Sequence, residues 1–558
     1  MKLVECVPNF SEGRDKDKIQ AIAREIEATP GVRLLDVDPG ESTNRTVVTF
    51  IGPPEAVREA AFRAIRKAAE LIDMRAHKGA HSRIGATDVC PFVPVAGVTM
   101  DDCVRLAREL GRRVADELGI PVYFYEEAAT RPERRNLAVI RSGEYEGLPE
   151  KLKDPAWAPD CGAPAFNARS GATVIGAREF LIAYNINLNT RDRKLANEIA
   201  LNIRESGRAR RGADGEIVRD AAGTAVKLPG KFEHVKAVGW YIEDYGIAQI
   251  SINFTNYKIT PIQRVFDEVV LQAQRLGLRV TGSELVGLIP KEALLSAGRH
   301  YLEKQGKSPG APDDELVRTA VRSLGLGDVV SFDAKKKIIE NQFEEPETLL
   351  VKKSLRAFAD ELSMDSPTPG GGSVAALCGA LSAALSAMVA NLTVGKKGYE
   401  KAAADMTSTA LRAQALKAEY LGLVDRDTDA FNRVMDAVRL PKTNDEQRKE
   451  KDAAVEAATK EATLVPLEVL AKAVELLKLA KKAAAKGNRN SMSDAGVAAL
   501  AARSAAEGAY FNVRINLPGI RDEAFRAETK KKAAAFRRTA CRIAGETVRL
   551  VEKEIGRE

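Results

Sequence analysis

The sequence predicts two fold classes in series, an α/β region followed by an all-α region. Strand-like and helix-like hydrophobic periods alternate over the first part of the chain, whereas from about Ser354 the strand signal stops. Ala-, Lys-, Leu- and Glu-rich stretches with helical spacing then run to Glu558. Between the two lies an acidic, proline-bearing segment, Phe343 to Lys353, composed like a linker. At 558 residues the chain exceeds what one hydrophobic core organises, so several domains are expected.

The first elements read as strands near Leu3 to Val7, Val32 to Val37, Thr46 to Ile51, Val89 to Val95 and Val122 to Tyr125. Amphipathic helices fit Lys16 to Ala28, Pro54 to Ile72 and Asp101 to Leu118, with Pro53-Pro54 opening the second of them. A second series follows, with strands near Phe180 to Leu188, Val235 to Ile242, Ala248 to Asn253 and Leu278 to Thr281. Its helices fit Arg191 to Glu205 and Pro261 to Leu276. Each series runs roughly β-α-β-β-α-β, which predicts two split α/β sandwiches with mostly antiparallel sheets rather than a doubly wound parallel one. The expected boundaries are 1–178 and 179–342 for the two sandwiches, 343–353 for the linker and 354–558 for a bundle of about five or more helices. Pro369-Gly370-Gly371-Gly372, Leu440-Pro441, Gly487-Asn488 and Pro518-Gly519 punctuate the bundle.

Composition narrows the function classes. Apolar and charged fractions of 45% and 29% are those of an ordinary globular protein. The six cysteines are scattered without ligand-like spacing, which reads as reduced cytosolic thiols rather than a disulfide frame or zinc site. Pro8 interrupts the amino terminus too early for a signal peptide, and the longest apolar stretch, Ser373 to Leu392, is mostly Ala with Gly and Ser. A cytoplasmic protein without membrane insertion is therefore expected. The net charge of +7 is spread along helices such as Lys442 to Lys460, and aromatics are sparse, so no nucleic-acid partner is expected. No GxGxxG or GxxxxGK follows a strand, which leaves nucleotide-phosphate cradles unsupported.

Two of the four histidines, His77 and His81, lie four apart in MRAHKGAHSRIGATDVCPFVPV, a glycine-rich loop entering a strand. A loop imidazole on a rigid scaffold suits proton transfer, because its ordinary pKa lies near neutrality. On spacing alone a metal pair and a hydrogen-bonded structural role stay open as well, although Gly79 argues against the shared helix face of HExxH. Asp36 and Asp38 end a strand in LLDVD, where alternation points both to one face and Leu35 and Val37 to the other; capping of the next turn is the competing role. In LVDRDTDAF, Asp425, Asp427 and Asp429 are two apart, so a helix separates them onto different faces, and a solvated acidic face competes with a catalytic one. TPGGGS opens an Ala-rich helix, which fits either helix-start amides of Gly370, Gly371, Gly372 and Ser373 offered to a ligand or a flexible linker with an N-cap at Ser373.

Longer blocks are more specific. VECVPNFSEG (Val4 to Gly13), LLDVDPGESTNRTV (Leu34 to Val47), the HKGAHSRIGATDVCPFVPV block, WAPDCG, FLIAYNINL and GSELVGLIP together resemble glutamate formimidoyltransferase. TPGGGSVAAL, LVDRDTDAFNRVMDAVRLPK and GAYFNVRINL resemble formimidoyltetrahydrofolate cyclodeaminase. In that order, over nearly the whole chain, they resemble the bifunctional formimidoyltransferase-cyclodeaminase family.

The resemblance implies transfer of a formimidoyl group from N-formimidoyl-L-glutamate to nitrogen 5 of tetrahydrofolate, with or without a polyglutamate tail. Cyclisation to 5,10-methenyltetrahydrofolate with loss of ammonia follows, without a metal. It maps the transfer base onto His81, with His77 as a binding or orienting neighbour, and the cyclisation carboxylate onto Asp427. Asp38 then has a cationic amidine or the imidazole to hold, and Asn44 and Arg45, in the loop after it, have substrate carboxylates to meet, an ordinary surface position competing for Arg45. The stretch GAPAFNARSG corresponds to the family's folate loop, its ends Gly162 and Gly171 carrying over more firmly than Arg169 in the middle. Gly207 to Lys231, with Arg208, Arg210 and Arg211, is an insertion against the family pattern; a polyglutamate-tail contact competes there with a disordered surface loop. A homo-oligomer, an octamer by resemblance, is expected. The alternative is an active transferase whose cyclodeaminase-like region serves only assembly.

Overall fold

The computed structural model describes residues 2–41, 44–79, 82–212, 214–220, 223–243, 245–342 and 348–556. They form two compact units, Met1–Ala293 with Leu324–Phe343, and Leu294–Ser323 with Glu344–Glu558.

The first unit is mixed α/β. Its larger sheet contains β1 (Leu3–Cys6), β2 (Asn9–Phe10), β3 (Arg33–Gly40), β4 (Arg45–Gly52), β5 (Thr87–Ala96), β6 (Val122–Glu126) and β7 (Thr173–Ala177). β3, β4, β1 and β5 are neighbours in that order, each pair antiparallel. β7 then joins β5, and β6 joins β7, both in parallel. Helices α1 (Lys16–Glu27), α2 (Pro54–Leu71) and α3 (Met100–Leu118) cover one face. Ile22, Phe62, Ile65, Leu106 and Leu110 meet Val4, Cys6, Val48, Phe50, Cys90 and Phe92 there in one buried cluster. Asp15 caps α1, and the reciprocal Thr99–Asp102 capping box starts α3. The short helices α4 (Leu137–Ile140) and α5 (Glu144–Lys151) fill the stretch before β7, a strand that the weak alternation of its sequence does not announce.

The second sheet is wholly antiparallel. It comprises β8 (Ile182–Leu188), β11 (Val235–Ile242), β12 (Ile247–Phe254) and β13 (Val280–Val286), in the order β11-β12-β8-β13. Helices α6 (Arg193–Ile203) and α7 (Ile262–Arg275) complete the series. β13 runs later than the expected Leu278 to Thr281 because a bulge between Val280 and Gly282 carries pairing on through Val286. The inserted segment is a ribbon. β9 (Arg208–Ala209) pairs with β10 (Lys227–Leu228), and bridges Arg211↔Ile217 and Arg219↔Ala225 continue it.

The second unit is helical. Its long helices are α12 (Gly371–Asn391), α13 (Ala403–Arg439), α14 (Asp445–Lys486), α15 (Met492–Asn516) and α16 (Glu523–Ile555). The shorter α8 (Lys291–Lys304), α9 (Asp313–Leu324), α10 (Ala334–Lys337) and α11 (Leu355–Leu362) precede them in the chain; α10 belongs to the first unit, while residues 294–323, in α8 and α9, belong to the second. Small residues allow close contact. A Cβ on Gly379 would lie 2.2 Å from the Tyr420 ring, and one on Gly310 would lie 2.4 Å from Ala410. α12 is long and apolar enough to cross a membrane by length and composition, and 61% of its apolar window is buried inside the unit.

Candidate functional site

In the first unit, distant motifs converge on one end of the larger sheet. Ser11 donates its hydroxyl to the Gly85 carbonyl (2.7 Å) and its amide to that of Ala86 (2.9 Å). Ala86 N–H reaches Ser170 O (2.8 Å) and Ala172 N–H reaches Ile84 O (3.0 Å), so residues 84–86, which follow the HKGAH motif in the chain, run beside the end of the GAPAFNARSG stretch. Gly85 and Gly171 form a bridge at their crossing. Gly171 has φ +68°, and a Cβ there would lie 2.2 Å from the Ile84 carbonyl, so glycine is required by both backbone and space. Gly162, at φ +88°, begins the same loop.

Asn44 ties this end together. Its Oδ1 accepts from Gly13 N–H (2.9 Å), its Nδ2 donates to the Lys78 carbonyl (3.0 Å), and its own carbonyl lies 2.9 Å from His77 Nε2. A carbonyl only accepts, so His77 Nε2 carries a proton. Nδ1 accepts from Arg83 Nε (3.2 Å), so it carries none. His77 is therefore neutral, and burial, reinforced by Arg83, pushes its pKa down. Arg83 is itself buried and pairs with Glu144 (2.8 Å) and Glu146 (2.7 Å). His81 lies outside the described residues. Arg169 lies in the GAPAFNARSG stretch, and its guanidinium donates to the Ala69 and Glu70 carbonyls at the end of α2.

The sheet face away from the helices lines a cleft of about 870 Å³. Glu5, Val7, Leu35, Asp36, Asp38, Arg45, Val47 and Thr49 form one wall, with Arg178, Asn253, Lys336 and Lys337 elsewhere in the lining. Asp36 and Asp38 share this wall as alternation requires. Leu35 also lines it, because the β3 register shifts between Leu34 and Asp36, while Leu34 and Val37 pack against the helices. Burial lowers the pKa of the Arg45 guanidinium, an effect that Asp88 and Asp38 oppose. Sequence reasoning missed Glu5, Arg83 and Arg178; the one available signal for Glu5 was a carboxylate inside the apolar run LVECV.

The helical unit builds a second site at the start of α12. Gly370 is the N-cap, so Ser373 is not the cap; it stands inside the first turn, where its hydroxyl donates to the Val424 carbonyl (2.9 Å). Gly372 and Asp427 touch. A Cβ on Gly372 would lie 2.1 Å and 2.3 Å from the two Asp427 carboxylate oxygens. Burial raises the Asp427 pKa, with the Ser373 backbone and side chain pulling the other way through hydrogen bonds. Asp425 accepts instead from the Leu350 amide (2.6 Å), and Asp429 is exposed. Gly371 faces the Asn512 amide, which brings the GAYFN stretch to the same end of the bundle and was not foreseen as a site residue. Among the described residues no group of three or more His, Cys, Asp or Glu side chains is placed to hold a metal ion.

Comparison with known proteins follows the same division. The family description "Formiminotransferase domain, N-terminal subdomain" matches residues 3–178, "Formiminotransferase domain" matches 183–344, and "Formiminotransferase-cyclodeaminase" matches 354–535. The chain is 44% identical over 537 residues to formimidoyltransferase-cyclodeaminase of Rattus norvegicus, covering 96% of both chains. The Gallus gallus protein of that name is 45% identical over 554 residues, covering 99% of both. Glutamate formimidoyltransferase of Thermoplasma acidophilum is 45% identical over 312 residues, 56% of this chain and 95% of that one.

Proposed function

Because the chain belongs to the formimidoyltransferase-cyclodeaminase family, we propose that the two sites divide its two reactions between them. It is a folate-dependent enzyme of histidine degradation, a glutamate formimidoyltransferase and a formimidoyltetrahydrofolate cyclodeaminase. The transferase part takes N-formimidoyl-L-glutamate and tetrahydrofolate, with 1–178 and 179–342 acting as two β-α-β-β-α-β sandwich subdomains, the second of which lends residues 294–323 to the helical unit. The strand orders β3-β4-β1-β5 and β11-β12-β8-β13 support that division. The helical domain begins at 354, after a linker at 343–353.

In transfer, nitrogen 5 of the folate loses a proton as it attacks the amidine carbon, and the departing glutamate nitrogen gains one. His81 is the group that carries the proton both ways. His77, fixed in its neutral form, orients the loop rather than titrating. Asp38 and Arg45 bind from the cleft wall and Asn44 through the turn it holds. Gly162 and Gly171 shape the folate loop, which Arg169 anchors to α2.

In cyclisation, nitrogen 10 attacks the formimidoyl carbon and ammonia departs. Ammonia must leave protonated, and Asp427 is the carboxyl that passes the proton. The observation carrying this assignment is the seat of its carboxylate on Gly372, beneath the first amides of α12, in a setting dry enough to raise its pKa. Gly370 and Gly371 offer backbone donors to the folate, while the Ser373 amide holds the Asp427 carboxylate in place. The protein acts in the cytoplasm as a homo-oligomer, in which an octamer is the assembly to test; the exposed Leu381, Met388, Leu500, Phe511 and Ile515 on α12 and α15 support an assembly face. The test is an assay with both substrates that follows ammonia and the near-ultraviolet absorbance of the methenyl product separately. Transfer without either signal refutes the second activity.

A further inference from the structure

Glu5 stands on a central strand with its neighbours turned the other way. Val4 and Cys6 point into the helix-side cluster, and Glu5 points to the cleft. β1 lies between β4 and β5, so Ile51 and Val93 face Glu5 from the adjoining strands, and both are fully buried. Glu5 itself is 4% exposed, and its carboxyl makes no side-chain hydrogen bond or ion pair among the described residues. Charge in such a place is costly unless a partner arrives.

The other charged groups of the cleft are Asp36 and Asp38 on β3, Arg45 on β4, Arg178 beyond β7, and Lys336 and Lys337. Cys6, a buried thiol on the helix side, is the titratable group next in the chain. Asp36 and Asp38 are exposed on β3, which pairs with β4 alone, so water screens them. The lining therefore offers one dry acid and several cations. That is the complement of a small molecule bearing a cation at one end and carboxylates at the other.

We propose that Glu5 receives the cationic amidinium of the formimidoyl donor, carboxylate to N–H, and so sets donor binding in the transferase reaction. The inference rests on the transferase reading of this unit. A planar amidinium presents two N–H groups to two carboxylate oxygens, a pairing that gains strength where water is excluded. With no donor present, burial raises the Glu5 carboxyl to about 7, against the pull of Arg178. A bound cation favours the ionised form, so donor binding at neutral pH releases a proton. Below that pH the donor must first displace a proton, and its apparent affinity falls.

The test is calorimetric titration of the full-length protein with N-formimidoyl-L-glutamate, in phosphate and in Tris, whose ionisation heats differ. At pH 7 the expected release is roughly half a proton per donor bound, fading by about pH 9, as a carboxyl near 7 dictates. Glu5→Gln should abolish the release and raise the donor KM by at least about 30-fold while leaving the tetrahydrofolate KM within about three-fold. A wild-type protein that transfers no formimidoyl group sinks the transferase reading itself. If transfer occurs but the wild type releases no proton at any pH between about 5 and 8, the role of Glu5 is overturned, whether or not the variant folds. A folded Glu5→Gln protein that still releases the proton, or holds the donor KM within about three-fold, overturns it equally.

Discussion

Replacing Gly372 by Ala should separate stability from cyclisation. The new methyl would lie 2.1 Å from one Asp427 oxygen and 2.3 Å from the other, well inside contact, so the carboxylate must rotate away. The rotation costs about 1 kcal/mol, and the lost hydrogen bonds from Ser373 cost about 1.5–3 kcal/mol. Two effects offset these losses: Ala is favoured over Gly in a helix by up to about 1 kcal/mol, and a displaced carboxylate regains water. Net stability should therefore change by no more than about 2 kcal/mol, a shift of a few degrees in Tm. Chemistry has no such offset. Losing a positioned acid-base group slows a step by about 100- to 10,000-fold, equivalent to about 2.7–5.5 kcal/mol of barrier. The assay supplies 5-formimidoyltetrahydrofolate, follows ammonia and methenyl product, and measures formimidoyl transfer on the same preparation. Retention of more than about a tenth of the cyclisation rate, with Tm unchanged, would refute the seat of Asp427 on Gly372 as a functional contact.

Asp427→Asn should stop ammonia release and let 5-formimidoyltetrahydrofolate accumulate. Because burial raises this carboxyl in the folded state, the native form binds its proton more tightly and stability grows as pH falls through the folded pKa, so the Asn variant should be no less stable at pH 7 and lose that slope. Asp425→Asn, which weakens the hold on the Leu350 amide, should instead lower stability by about 1 kcal/mol and spare cyclisation; a larger loss of rate than in Asp427→Asn would reverse the assignment. His81→Ala should abolish transfer and leave cyclisation of supplied intermediate intact, whereas His77→Gln should leave the pH profile of transfer unmoved, since His77 stays neutral; a shifted profile would show that His77 titrates. In the inserted ribbon Arg208 pairs with Glu198 (2.6 Å) while Arg210 and Arg211 are exposed, so replacing the latter two by Gln should weaken polyglutamylated folate more than monoglutamate, with salt eroding the difference. Equal loss for both substrates would mark the segment as a folding element.

The α/β and all-α halves were legible because periods of 2 and 3.6 are local properties. Helices α1, α2, α3, α6 and α7 lie within a few residues of their expected bounds for that reason. β7 escaped notice because TVIGA is five residues buried throughout, without the alternation that marks a half-exposed strand. The inserted segment reads as polar and basic, yet backbone pairing makes it a ribbon, and no local pattern reports a pairing across some 20 residues.

The sites divide along the same line between local and long-range information. HKGAH and GAPAFNARSG are visible as motifs, but the meeting of the segments that carry them depends on Gly85 reaching Gly171, 86 positions later, at a crossing that admits no side chain. The triplet Asp425, Asp427 and Asp429 shows the limit most clearly. Helical spacing puts the three on different faces and can say nothing of what each face meets. Asp425 finds the Leu350 amide 75 residues away, Asp427 finds Gly372 55 residues away, and Asp429 is exposed to solvent. Identical side chains thus acquire different chemistry from what packs opposite them. Glu5 likewise takes its setting from distant strands, because β4 and β5 flank it on both sides and leave its charge in LVECV buried. An acid that a chain buries beside an open cleft, with no hydrogen-bond or ion-pair partner among the described residues and only the field of Arg178 against it, is explained more economically by an incoming cation than by stability, because burial alone makes the fold weaker.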